Sequence, residues 1–164
     1  MADLTPLDEK LAEVLGLAQA AQAATTHVAK MEGAGEFKAD LDRMHEQAQE
    51  TEQRTDALID TLEGKKTAIR DMARETKTEA VEMMKTYLGD EEEALDGFEF
   101  LSMAEAGELC HWEIVETIAA SVQDRETTDL ARWAVPVQRG HVNAVREAYL
   151  GLAVGEAKEM AAAA

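Results

Sequence analysis

Two short stretches of the chain carry residues whose types and spacing could do chemistry. One is GELCHWEIVE, residues 107–116, and the other is VQRGH, residues 137–141. In the first, Glu108 and His111 form a Glu-x-x-His pair; in the second, Gln138 and His141 form a Gln-x-x-His pair. Three residues are nearly one helical turn, so each pair turns both side chains toward the same side. Bundle helices deliver ligands to a core metal with this spacing. A carboxylate and two imidazoles suit a divalent transition metal, and an ion with an open position can activate oxygen or peroxide. His45, Gln49 and Glu52 stand at i, i+4 and i+7 as a further set, and Gln22 and Thr25 interrupt an apolar stripe earlier in the chain.

Such residues need helices to position them. Thr5, Pro6 and Asp8 make a start signal, after which Leu7, Leu11, Leu15 and Ala18 follow at helical spacing. The glycines of MEGAGEF (residues 31–37) end this first helix. A second helix is expected over about residues 36–63, with Phe37, Leu41, Met44, Ala48, Leu58 and Leu62 on one stripe. Residues 67–88 predict a shorter, weaker helix that Gly89 closes. Asp90 is expected to cap a long helix reaching about Asp124, with Glu91, Glu92 and Glu93 in its first turn. A last helix is capped at Thr127 or Thr128 and runs toward Gly155, and Pro136 is expected to kink it beside the polar cluster. The reading is all-α: an antiparallel four-helix bundle with a short extra helix in the crossover between the second and fourth predicted helices. One domain covers residues 1–155, and an Ala-rich tail covers 156–164.

The inner stripe of the fourth predicted helix reads Leu101, Glu105, Glu108, Trp112, Val115, Ala119, Val122: apolar at both ends, acidic at the centre. The last helix reads Leu130, Ala134, Val137, His141, Ala144, Ala148, Leu152. Plainer roles fall to several neighbours. Glu113 and Glu116 belong to a solvated face, His27 to the surface, and Trp112 and Trp133 to packing. Glu105 divides between the core and an exposed edge. Cys110 is expected to be an inert buried thiol.

Composition narrows the function classes. The formal net charge is −18, from 34 acidic against 16 basic residues, which repels nucleic acid and anionic membranes. No apolar run approaches the roughly 18 residues of a membrane helix. A single cysteine forms no internal disulfide, and the acidic N-terminus has no signal-peptide layout, so a cytoplasmic protein is expected. A bundle of this size is also expected to form a homo-oligomer, a dimer being the simplest.

With helix order, the extra helix after EGKK (residues 63–66) and the run CHWEI (residues 110–114) in view, the chain resembles the ferritin-like superfamily. It is most similar to the bacterial Yci-type stress-associated ferritin-like proteins, over about residues 7–153. The matching helix there carries a Glu-His-Tyr-Glu-Ile type run. His111, Glu113 and Ile114 match it, Trp112 replaces one aromatic by another, and Cys110 stands for a glutamate. The resemblance implies a metal centre, iron first, and a role in iron or oxidative stress. Yet Gln22, Gln49 and Gln138 stand where the superfamily has charged or imidazole ligands, and neutral amides do not offset the charge of two irons. The remaining set, Glu108, His111, His141, Gln138, His45 and Glu52, is that of a reduced or mononuclear site for iron or another divalent metal. The alternative is a metal-free structural or interaction module on a degenerate ferritin-like scaffold. An organic ligand or haem between the helices is the third reading. The sequence leaves open whether the chain is an enzyme.

Overall fold

Thr5 caps the first helix as its sequence requires. Its hydroxyl accepts from Asp8 N, and the Asp8 carboxylate accepts from Thr5 N at 2.7 Å and from Lys65 Nζ at 2.6 Å. Burial alone would raise the Asp8 pKa, but the hydrogen bonds from Lys65 and Thr5 outweigh it and hold the carboxyl below its ordinary value. The computed structural model describes residues 3–164 and contains five α-helices: α1 Pro6–Val28, α2 Lys38–Ile59, α3 Lys66–Leu88, α4 Ala94–Ser121 and α5 Arg125–Ala163. A 3₁₀ turn, Ala34–Phe37, leads into α2.

Short connections reverse the chain between successive helices. The Asp8–Lys65 pair ties the start of α1 to the α2–α3 connection. At the opposite end, Glu32 exchanges backbone hydrogen bonds with Glu92 and Ala94, joining the end of α1 to the start of α4. α1 packs on α2 and α4, and α5 packs on α4 and α2, which closes a ring of four helices. α3 lies chiefly against α1. No helix among the described residues is long and apolar enough to cross a membrane.

The extra helix is not short. α3 has 23 residues, as many as α1. Its buried stripe is narrow (Ile69, Ala73, Met84, Leu88) because it packs mainly on one neighbour, so its sequence pattern is faint while its backbone is complete. Gly16 allows the close approach: a Cβ there would stand 2.5 Å from the Ala73 carbonyl oxygen. α4 begins at Ala94 rather than Asp90, since the backbone pairing of Glu92 and Ala94 with Glu32 holds Glu93 between them extended. Asp124, not Thr127 or Thr128, caps α5 by accepting from Thr127 N at 3.0 Å. α5 is helical through Pro136 and Gly155 to Ala163, carried by the strong helix formers of its last turns.

Two apolar clusters fill the ring at different depths. Val28, Met44, Phe98, Leu101 and Val145 belong to one. Leu11, Val14, Trp112, Val115 and Ala134 belong to the other. Between them, along α4, lie Glu105 and Glu108.

Candidate functional site

The expected inner stripe of α4 is buried from Leu101 through Glu105, Glu108, Trp112 and Val115 to Ala119, while Val122 beyond it is 63% exposed. Three residues turn an α-helix by about 300°, so side chains spaced by three drift about 60° around it at each step. Two steps separate Glu105 from His111. Glu105 therefore faces α5, His111 faces α1, and Glu108 lies between.

Glu105 is the hub. Its Oε2 accepts from Gln138 Nε2 at 3.0 Å and pairs with His141 Nδ1 at 3.0 Å. All three residues are at most 2% exposed. The other imidazole nitrogen of His141, Nε2, lies 2.8 Å from Gln47 Oε1 on α2. Both ring nitrogens of His141 are thus engaged by protein groups, one by the Glu105 carboxyl and the other by the Gln47 amide. The network links α2, α4 and α5 at one depth.

The other expected residues lie apart from it. His111 is half-buried; its Nδ1 donates to the Gly107 carbonyl at 2.8 Å, and its Nε2 pairs with Glu13 of α1 at 3.2 Å. His45 turns toward α1, with Nδ1 between Thr25 Oγ1 at 3.1 Å and the Gln22 carbonyl at 3.2 Å, and accepts from Gln49 Nε2 at 3.3 Å. Glu52 accepts from the amides of Gln19 and Gln22 along the α1–α2 seam. Of the expected set, Gln138 and His141 come together, and their partners are Glu105 and Gln47. Cys110 is exposed rather than buried. Trp112 packs in the core as expected, and Trp133 is half-buried beneath the Arg54 guanidinium, 4.2 Å from its centroid.

Glu108 stands alone. It is 3% exposed and forms no hydrogen bond among the described residues, and its carboxyl pKa is held well above the ordinary value. Burial is the main cause and the Glu105 charge the second. The indole N–H of Trp112, one turn on, pulls the other way without reaching hydrogen-bond geometry, and Trp112 Nε1 is a buried donor with no partner. Beside Glu108, a cavity of about 400 Å³ opens between α1, α3 and α4.

These donors do not fit the di-iron centre that the ferritin-like resemblance implies. Both core carboxyls come from α4, and the core imidazole has both nitrogens engaged by protein acceptors. Among the described residues, no three His, Cys, Asp or Glu side chains are grouped to hold a metal ion. No protein-family model, curated protein or solved structure matches the chain.

Proposed function

We propose that the chain is a metal-free binding module on a divergent ferritin-like bundle. In this reading its central polar network fixes helix register, and its activity is recognition rather than redox chemistry. The observation that carries this is His141, which meets Glu105 and Gln47 through both ring nitrogens while Gln138 supplies a second donor to Glu105. Buried polar networks persist when each member is paired, and they then specify one packing arrangement. Helix order and the CHWEI run support the ferritin-like ancestry.

The deciding experiment is elemental analysis of protein purified without chelator, followed by anaerobic ferrous titration, exposure to air and melting curves with iron, zinc and manganese. The expected result is no stoichiometric metal and an unchanged melting temperature. About one metal per chain, lost in a His111→Ala and His141→Ala double variant, would replace this reading with a mononuclear site. About two irons per chain with an oxo-bridged absorption band would replace it with a di-iron protein.

A further inference from the structure

The cavity between α1, α3 and α4 is apolar except at its inner wall. Ala20, Ala21 and Ala24 of α1 form its floor, and Met84 of α3 and Phe100 of α4 line its sides. Its mouth carries Met83, Tyr87 and Met103, which are 66%, 45% and 51% exposed, large apolar groups left in solvent around an opening. Tyr87 and Phe100 tilt against each other with ring centroids 5.8 Å apart, so π faces border the path inward. The volume, about 400 Å³, lies in the range of small-molecule sites, roughly 300–1,000 Å³.

The polar groups of that wall decide the ligand. Glu105 and Glu108 both line the cavity, and the His111 imidazole beside them already holds Glu13. No Lys or Arg side chain lines it. Glu105 is engaged by Gln138 and His141, whereas Glu108 is buried in the wall with no hydrogen-bond donor of its own. Even if the Trp112 indole shifted toward it, one N–H would meet only one of the carboxylate's roughly four lone-pair sites. A carboxyl that opens on a cavity and takes no hydrogen bond from the protein leaves its acceptor sites free for a ligand. An anionic head would meet the Glu108 carboxyl and no Lys or Arg. An ammonium group would meet the Glu108 acceptor, beside aromatic faces that also attract cations.

We propose that this cavity binds a lipophilic amine, with the apolar body between α1, α3 and α4 and the ammonium group on the Glu108 carboxylate. The proposal gives the binding-module reading a ligand class, and it is tested separately. Metal analysis probes the His141 centre, whereas the experiment below probes the wall at Glu108.

n-Octylamine, n-octanol and n-octanoate share one apolar body and differ in the head group. Titrating each into the full chain by calorimetry in about 0.5 M salt screens attraction to the acidic surface. The expected result is one octylamine site per chain, at least about tenfold tighter than octanol, the gain of one charge-assisted hydrogen bond. Octanoate should bind more weakly than either. Glu108→Gln should bring octylamine down to the octanol level, and Ala20→Phe, which fills the cavity from α1, should abolish binding while circular dichroism shows an intact fold. Octanol or octanoate binding as tightly as octylamine would overturn the proposal. So would unchanged octylamine affinity in either folded variant, or no octylamine binding at millimolar concentration.

Discussion

Replacing Glu108 with Gln should make the protein more stable at neutral pH and flatten part of its pH dependence. The native carboxyl titrates well above its ordinary value because burial, and then the Glu105 charge, disfavour the anion. The unfolded chain has no such penalty and ionises near pH 4.3. Between those two values the native state holds one more proton than the unfolded state, so stability falls as pH rises. The contribution is fully present below about pH 4.3 and is lost through the window up to the native pKa. Within that window the one extra proton on the native state makes the wild type lose stability steadily relative to the variant as pH rises. Gln keeps the size of the side chain and removes the titration, so the difference between the two proteins isolates this group from every other carboxylate. Urea unfolding followed by circular dichroism at pH 5, 6, 7 and 8 measures it. The variant's advantage should grow with pH. A flat difference would mean that Glu108 ionises in the core as freely as in water. A difference that shrinks with pH would mean that the anion is the favoured form, held by a cation in solution.

His141→Ala should cost about 3–5 kcal/mol at pH 7, because it leaves the Glu105 carboxylate buried with only Gln138 as donor; urea titration reads this, and a cost under about 1 kcal/mol would show the pair to be solvated. Gly16→Ala should destabilise by about 1–3 kcal/mol despite the better helix propensity of Ala. Its Cβ would stand 2.5 Å from the Ala73 carbonyl oxygen and 2.7 Å from Thr76 Cβ. Neither the α3 backbone nor a Cβ attached to it can rotate away, so a raised melting temperature would refute the tight α1–α3 packing.

Spacing in the sequence carried most of the fold and part of the site. The stripe from Leu101 through Glu105 and Glu108 to Ala119 lies in the core because its steps of three and four track one face of α4. The same rule misplaced His111, because one more step of three carries the side chain on toward α1. His45 drew attention as a histidine, yet the position that reaches His141 is Gln47, two residues on. At about 100° per residue these two point to opposite sides of α2, one toward α1 and the other toward α5. A half-buried glutamine among charged neighbours carries no periodic signal, and only the placement of α5 reveals it. The starts of α4 and α5 were misread for a related reason. Glu32 fixes the first from a distant loop, and Asp124 competes with two threonines for the second.

Two of the amides that break the metal-ligand pattern, Gln138 and Gln22, satisfy carboxylates of neighbouring helices. Gln138 donates to Glu105, and Gln19 and Gln22 donate to Glu52. An amide hydrogen satisfies a carboxylate oxygen without bringing a positive charge, so each such amide closes an acceptor. His141 supplies the imidazole partner of Glu105 in the buried centre, and both its nitrogens are engaged. Glu108 is the exception: buried, one turn from the hub, and facing a cavity instead of an amide. Burial and then the Glu105 charge raise its pKa, and no hydrogen bond from α1 or α3 offsets them. A donor arriving through the cavity would offset both, which ties the pH experiment and the amine titration to a single carboxyl.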